Sequence, residues 1–375
     1  MTKKKLTFII INKNVIDVFL INHLKLLIKY YDVNFISPIN SKYIKIENIS
    51  FNNKFLKLNR DLNFLNFFSC FLILLFHINK NKNHLFISIH PKNGLLLGVC
   101  KYFQNFTSLH IITGQIWANM TGVKKIIFKF IDNLIFKKND YLLIDSNSQI
   151  SYLKEHNFNY KFDCINYGSI CGVNLDTFKK SKSNKIEFKK KYLLPINCKF
   201  ILYIGRINTS KGIDLLLKAF DRIRKNYDDF YLLIVGKDEI NFDKLISKYD
   251  INLKNKILKF DHSAKVSYFY SLADIFCLPS YREGFGLSVI EASASSLPVI
   301  VSDIYGLQDS MIDKVTGLKF KSGDHNSLYD KIDYLIKYPR QSEKFGKQGK
   351  AFVEKNFHFK DVTNFLYKYL NKIVF

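Results

Sequence analysis

Short apolar runs of four to six residues alternate along the chain with longer stretches whose apolar positions recur every three or four residues. That alternation is the pattern of parallel β-strands joined by amphipathic helices. In the first half, strands are predicted at Leu6–Ile11, Val33–Ser37, Leu85–Ile89, Thr107–Ile112, Tyr141–Ile144 and Cys164–Asn166. Helices are predicted at Val18–Tyr30, Gly94–Tyr102, Gly122–Phe136 and Gln149–His156. A second series of strands follows Pro195, at Lys199–Ile204, Phe230–Val235, Ile257–Phe260, Ile275–Leu278 and Val299–Ser302. Its helices are predicted at Gly212–Tyr227, Asn241–Tyr249, Ser263–Leu272, Gly286–Ser295, Asp324–Lys337, Gln341–Val353 and Asp361–Ile373. No stretch of 20–50 residues repeats, so the chain is not a solenoid.

Two successive α/β series predict two Rossmann-like, doubly wound domains facing each other, over residues 1–175 and 176–355. Residues 356–375 are expected as a C-terminal helix crossing back to the first domain. Ligands of such sheets sit outside the carboxyl ends of the strands. The cleft between the two domains is therefore the expected active site.

Composition narrows the classes. A chain of 375 residues with 47% hydrophobic residues holds material for two cores, which excludes a disordered protein. Its 57 basic against 32 acidic side chains give a charge of +25, which draws anions such as phosphorylated small molecules, acidic phospholipid or nucleic acid. Lysine is scattered through every segment rather than gathered in a tail, which argues against a nucleic-acid arm. The densest run, Lys179–Lys191, reads as a solvated surface between domains. No two of the six cysteines have the two-residue gap of a zinc or redox site, and buried reduced thiols are expected. Met1–Ile11 carries too short an apolar run for a signal peptide and reads as a first strand. The apolar stretch Phe64–Ile78 falls short of the roughly 20 residues that span a bilayer. It reads as a core helix, with an interfacial membrane-seating helix as the alternative.

Two places concentrate chemistry. The first is Gly205–Arg206–Ile207–Asn208–Thr209–Ser210–Lys211–Gly212, where a strand ends in glycine and a helix opens near Gly212. Glycine lets the backbone pass close to a ligand, a helix N-terminus offers free N–H groups, and Arg206 and Lys211 add full charges. The loop suits a diphosphate, although it is neither a Walker loop nor a G-x-G-x-x-G fingerprint. The second is Pro279–Ser280–Tyr281–Arg282–Glu283–Gly284–Phe285–Gly286, opening a helix that carries Glu291. Glu283 in the turn, with the amides of Phe285 and Gly286, suits an oxyanion or a hydroxyl; Glu291, about two turns down the helix, suits the vicinal hydroxyls of a ribose. Eight residues of helix climb about 12 Å, which disfavours the two glutamates as a glycosidase pair.

With both loops in view the chain resembles the family-4 glycosyltransferases of the GT-B fold. The matching elements are Gly205–Arg206 with Lys211–Gly212, then Ala273–Asp274–Ile275–Phe276 before Pro279–Ser280. Glu283 to Glu291, Pro298–Val299–Ile300 with Ser302–Asp303, and Gly317–Leu318 complete the series. In the first half, His90–Pro91–Lys92–Asn93–Gly94, Thr113–Gly114–Gln115–Ile116–Trp117, Asp145–Ser146 and Gly168–Ser169–Ile170–Cys171–Gly172–Val173–Asn174 look like the subset that assembles capsule and O-antigen glycans. The resemblance implies that Arg206 and Lys211 bind the donor's pyrophosphate, that Glu291 accepts from its ribose, and that Glu283 with the following amides contacts the transferred sugar. It implies retention of anomeric configuration by front-face attack, with no protein base required. Thr113 stands where many relatives carry a histidine before Gly114, and His90 and His110 are nearby candidates for a sugar-side contact.

The expected partners are a nucleotide-sugar, with UDP the expected nucleotide and a hexose or N-acetylhexosamine the sugar, and a polyprenyl-diphosphate-linked glycan acceptor. An anionic membrane surface is the third expected partner, with the protein peripheral on the cytoplasmic face. No Asp-x-Asp motif occurs, so neither a metal nor another cofactor is expected. The competing readings are a UDP-sugar epimerase of the same architecture and a basic nucleic-acid-binding protein.

Overall fold

The computed structural model describes residues 3–58, 64–261 and 265–374. The chain divides into two compact units: residues 1–172 together with 359–375, and residues 173–358.

In the first unit the chain runs β1 (Lys4–Ile9), a π-helical turn (Ile16–Leu20), α1 (Ile21–Tyr30), β2 (Tyr31–Ser37), β3 (Tyr43–Ile46) and β4 (Ile49–Phe55). It continues through α2 (Phe64–Lys80), β5 (His84–Ile89), α3 (Pro91–Cys100), β6 (Thr107–Ile112) and α4 (Gly122–Lys138). Then follow β7 (Tyr141–Ile144), α5 (Asn147–Glu155) and β8 (Asp163–Cys164). The strands form one sheet in the order β3-β4-β2-β1-β5-β6-β7-β8. All pairs are parallel except β3 with β4.

The second unit runs α6 (Lys182–Lys191), β9 (Lys199–Ile204), α7 (Ile213–Asn226), β10 (Phe230–Val235), α8 (Phe242–Ile246), α9 (Ile251–Lys254) and β11 (Ile257–Phe260). After it come α10 (Val266–Leu272), β12 (Ile275–Leu278), α11 (Leu287–Ala294), β13 (Val299–Ser302), β14 (Gly317–Phe320), α12 (His325–Lys337) and α13 (Pro339–Asn356). Its sheet is wholly parallel in the order β11-β10-β9-β12-β13-β14. The expected helix start at Ser263 lies outside the described residues. Finally α14 (Phe359–Val374) joins the first unit.

The local causes are plain in the second unit. Every residue of β10 is buried, as a central parallel strand covered on both faces requires. In α7, Ile213, Leu216, Leu217, Phe220 and Ile223 line one buried face at helical spacing. Asp214 in its first turn and Arg224 and Lys225 in its last complement the helix dipole.

The hairpin β3–β4 was not expected from the apolar runs. Its signal is alternation instead: Ile44 and Ile46 are buried while Tyr43 and Lys45 are exposed. Ile46 pairs with Ile49, so the turn holds two residues, and Glu47 takes the positive φ of 51° that such a turn commonly gives to glycine or asparagine. Phe64–Ile78 proves to be a helix with two faces. Cys70, Phe71, Leu74 and Ile78 are buried in the unit, while Phe64, Leu65, Phe68, Leu72 and Phe76 are exposed.

A histidine clasps α14 onto the first unit. His23 is fully buried, with Nε2 2.5 Å from the Ile170 carbonyl oxygen and Nδ1 2.8 Å from the Thr363 hydroxyl. A carbonyl only accepts, so Nε2 carries the proton and Nδ1 accepts from Thr363. Burial lowers the ring's pKa to about 4, against the raising effect of the Ile170 bond, so it stays neutral at pH 7. Val362, Leu366 and Leu370 of α14 complete the core built by Leu6, Leu24 and Leu27. Elsewhere in this unit Asp132 accepts from the indole Nε1 of the buried Trp117 at 2.7 Å. Burial nevertheless pushes its pKa up to about 7, against that hydrogen bond. Five of the six cysteines are buried, and none forms a disulfide.

Candidate functional site

Sheet order locates the site in the second unit before any side chain is considered. From β9 the chain builds outward through β10 and β11, then returns to the other side of β9 for β12, β13 and β14. Loops leaving β9 and β12 therefore diverge at a topological switch point, where open α/β sheets bind ligands at the strands' carboxyl ends. Those two loops are the segments that concentrate Arg206, Lys211 and Glu283.

The backbones of the two loops are locked together. Tyr281 N donates to the Ser210 carbonyl at 2.9 Å. Gly212 sits at φ +66°, and a Cβ there would lie 2.0 Å from the Pro279 carbonyl oxygen. Gly306, in the loop after β13, meets Glu283 in the same way: its Cβ would lie 2.0 Å from the Glu283 carbonyl oxygen. Gly205 N donates to the Val235 carbonyl at 3.0 Å, and the buried Tyr203 hydroxyl donates to the Arg206 carbonyl at 2.8 Å. Gly286, at φ +82°, is the N-cap of α11. The Phe285 ring is buried edge-on to Phe357, so this residue offers a ligand only its backbone.

Lys211 Nζ lies 2.5 Å from Glu283 Oε1, which also accepts from the Ser280 hydroxyl at 2.7 Å. Both side chains are mostly enclosed, at 14% and 13% exposed. Arg206 Nη1 lies 3.2 Å from Glu239 Oε2, which also accepts from Asn208 Nδ2 at 2.8 Å. Each expected phosphate-binding cation thus already holds a carboxylate, and the four side chains sum to zero charge. Arg282 breaks the balance. It is half-buried, burial lowers its pKa, and it interacts electrostatically with Tyr305, Arg206 and Glu283.

Glu239, Arg282 and Asn208 were not assigned roles from the sequence. Glu239 follows β10, and its proximity to Arg206 depends on Ile207 N donating to the Lys237 carbonyl, with Glu239 N donating back to Ile207. Nothing local encodes that pairing. Arg282 did have a signal, its place directly before Glu283 in a loop already singled out.

Glu291 is the fifth residue of α11, just over one turn in, because the helix starts at Leu287. The expected eight-residue helical climb from Glu283 is not helical throughout. The Tyr270 hydroxyl lies 2.9 Å from Glu291 Oε2, and burial pushes the Glu291 pKa up to about 7 although that bond lowers it. No hydrogen bond or ion pair links Glu291 to the Lys211–Glu283 pair among the described residues.

The first unit has its own switch point, between β1 and β5. Asn93 spans it, with Nδ2 donating to the carbonyls of Ile9 at 2.9 Å and Ile89 at 3.1 Å. His90 caps α3 at φ +96°, a strained conformation for a side chain with a Cβ. Gly114 follows β6 at φ +109°, beside a half-buried Thr113. His110 does not join them at the surface. It is 2% exposed within β6, its Nδ1 is 2.8 Å from the Ser88 hydroxyl, and burial takes its pKa down to about 3. The strand is buried at every position from Ser108 to Ile112, as one covered on both faces requires. The motif residues beyond Gly114 form a buried polar network. Gln115 Nε2 donates to Gln149 Oε1 at 3.1 Å, and Gln149 donates to Asp145.

Residues 184–352 match the family described as glycosyl transferases group 1. That segment is similar to group 1 glycosyl transferases. It contains all four residues of the donor-side reading, Arg206, Lys211, Glu283 and Glu291. The chain is 29% identical over 294 residues to the capsular polysaccharide biosynthesis glycosyltransferase CapM of Staphylococcus aureus, covering 76% of this chain and 75% of that one. Among solved structures it superposes on sucrose-phosphate synthase from Thermosynechococcus elongatus with a TM-score of 0.83 at 20% identity, over 99% of both chains. Anabaena HepE, solved in complex with UDP-glucose, superposes with a TM-score of 0.79 at 14% identity, over 98% of this chain and 99% of that one. The group 1 segment and these likenesses make the fold GT-B, and the chain resembles glycosyltransferases of capsule biosynthesis.

Proposed function

We propose that this glycosyltransferase moves a sugar from a UDP-activated donor, a hexose or N-acetylhexosamine, onto a polyprenyl-diphosphate-linked glycan, retaining anomeric configuration in the manner of family 4. The observation that carries the reading is the locking of the β9 and β12 loops at a switch point, with Lys211 and Glu283 joined across them. The HepE complex with UDP-glucose supports the choice of donor, and the likeness to CapM supports a surface glycan as product.

In this reading a diphosphate takes up the Lys211 ammonium and the guanidinium of Arg206, with Arg282 beside them. Glu283 and the amides of Phe285 and Gly286 then turn to the sugar's hydroxyls, and Glu291 to the ribose. Departure of the diphosphate concentrates negative charge where the cations already stand, a preorganised effect worth several kcal/mol, on the order of 10²–10³ in rate per donor group. The leaving oxygen takes the acceptor's proton, and neither metal nor other cofactor enters. On the acceptor side His90, Thr113 and Gly114 stand at the carboxyl ends of β5 and β6, and His110 supports them from inside the sheet.

UDP-glucose is expected to raise the unfolding temperature more than GDP- or ADP-sugars at equal concentration, because a ligand that binds the folded state alone stabilises by mass action. Release of UDP should then depend on added lipid-linked acceptor. Equal shifts across the three nucleotides would remove UDP as the donor base, and acceptor-independent conversion of the sugar would favour an epimerase.

The acceptor's lipid places the enzyme at the cytoplasmic face of a membrane. No helix among the described residues is long and apolar enough to cross one. Support comes from α4, where Val123, Ile126, Ile127 and Phe130 form an apolar stripe at 71%, 67%, 50% and 60% exposure, spaced as one helix face and flanked by Lys124 and Lys125. An amphipathic helix with apolar residues outward and lysines beside them suits an anionic bilayer interface. Ile126→Asp together with Phe130→Asp is expected to weaken binding to phosphatidylglycerol vesicles by about 10-fold or more, measured by co-sedimentation. Undiminished binding of that double variant would move the contact elsewhere, with the exposed face of α2 the next surface to test.

A further inference from the structure

Among the described residues the Glu291 side chain carries no ion pair, and its one hydrogen-bonding partner is a tyrosine from a different helix. Tyr270 of α10 is fully buried, held by Phe178 and Phe276 at ring distances of 5.5 and 5.8 Å. Its hydroxyl lies 2.9 Å from Glu291 Oε2 and 3.1 Å from the Ser288 carbonyl oxygen one turn earlier in α11. One hydroxyl proton therefore has two acceptors.

We propose that Tyr270 is the positioning residue for Glu291, holding Oε2 so that Oε1 is presented to the nucleotide's vicinal hydroxyls, and that its hydroxyl switches its hydrogen bond between Glu291 and the Ser288 carbonyl. This rests on the reading of Glu291 as the ribose ligand. When Glu291 is ionised, Tyr270 donates to Oε2. When Glu291 is protonated, its carboxyl donates to the Tyr270 oxygen and the tyrosine proton turns to Ser288. The Tyr270 hydroxyl and Glu291 Oε2 are hydrogen-bonded in both states, so neither state is excluded by a buried orphan. Oε1 keeps both lone pairs in either state, but the ionised carboxylate is the stronger acceptor for two vicinal hydroxyls, so donor binding favours loss of the proton.

The surroundings supply no competing charge at hydrogen-bonding range. Of the elements packed on α11, α10 brings Tyr270 and, elsewhere on its surface, Tyr268; β12 has Cys277 as its one titratable side chain, and β13 has none. Helix α13 meets α11 and the turn after it through Gly346 and Gly349, against Ser296 and Ser293, and its lysines and glutamates form no ion pair with Glu291. Burial and the tyrosine thus set the protonation of Glu291, and burial alone favours the neutral form.

The test is calorimetric binding of UDP-glucose, whose diphosphate diester does not titrate near neutrality, between pH 5.5 and 8.5. Wild-type affinity is expected to strengthen with rising pH about a midpoint near 7, because binding favours loss of the folded-state acid's proton. Tyr270→Phe should weaken binding at pH 7 by about 10-fold and move the midpoint upward by about one pH unit, since the carboxylate loses its stabilising donor. Glu291→Gln should bind weakly at every pH with no midpoint.

A purely structural tyrosine would lower the unfolding temperature of Tyr270→Phe and leave the midpoint in place, which overturns the proposal while the ribose reading stands. Unchanged affinity and pH response in Glu291→Gln would overturn the ribose reading itself. Absence of UDP-glucose binding in the wild type would remove the donor assignment beneath both.

Discussion

Lys211→Ala is expected to lower turnover by about 10²–10³-fold, with Arg206→Ala close behind, while both variants keep their secondary structure. The argument is electrostatic. Lys211 is 14% exposed and its ammonium lies 2.5 Å from Glu283, in a site where water screens little. In the proposed reaction a diphosphate leaving group develops charge where this ammonium and the Arg206 guanidinium stand, and alanine at either position supplies nothing in their place.

The ground-state structure loses less. Glu283 keeps the Ser280 hydroxyl at 2.7 Å, and the loop keeps its backbone bond from Tyr281 to Ser210. An enclosed ion pair of this kind adds little net stability, because desolvation offsets most of the attraction. Removing one partner still strands a carboxylate, so Lys211→Met combined with Glu283→Gln, which keeps the bulk of both side chains and leaves no charge unpaired, is the companion variant for stability. Steady-state kcat and far-UV circular dichroism on the same preparations decide the matter. Wild-type turnover in both alanine variants would mean that the diphosphate is neutralised elsewhere, with Arg282 the first candidate.

Gly212→Ala is expected to damage the second unit severely for the addition of one methyl group. The residue sits at φ +66°, where a side chain costs about 1 kcal/mol. The added methyl would lie 2.0 Å from the Pro279 carbonyl oxygen, and a backbone atom cannot swing aside as a side chain can. Overpacking of that kind costs a further 1–3 kcal/mol or so. The unfolding midpoint should fall by roughly 5–10 °C, and donor affinity with it, because relief comes only by prising the β9 loop from the β12 loop. A Gly212→Ala protein that melts and binds UDP-glucose like the wild type would show that the loops are not held by this contact.

The architecture was legible where residues are buried on both sides. Lys199–Ile204, Phe230–Val235, Ile275–Leu278 and Val299–Ser302 are strands with the very boundaries expected, since a central parallel strand must be apolar at nearly every position. The edge hairpin Tyr43–Phe55 escaped because its pattern alternates and its turn lacks glycine. Strand Gly317–Phe320 opens on glycine, a residue depleted in strands, and its apolar run is thereby reduced to two residues beside a lysine.

At the site, the loops at Arg206–Lys211 and Glu283 could be read from strand ends followed by glycines. What could not be read was the pairing among them. Whether Lys211 faces Glu283 or Arg206 faces Glu239 depends on sheet order, which brings β12 beside β9 from some seventy residues away. His110 lies three residues before Thr113, but it sits in a strand buried at every position from Ser108 to Ile112, which nearness in sequence does not reveal.

The clasp of His23 on Thr363 bears on how such a chain comes to be made. A ribosome that has delivered residues 1–172 has produced every strand of the first sheet, yet not the helix that supplies Val362, Leu366 and Leu370 to its interior. The patch of Leu24 and Leu27 stays uncovered while the whole second unit is being synthesised. The earlier half of the polypeptide therefore reaches its final form after the later half, and a nascent chain stalled anywhere before Phe359 exposes a greasy surface that the cell's chaperones must cover.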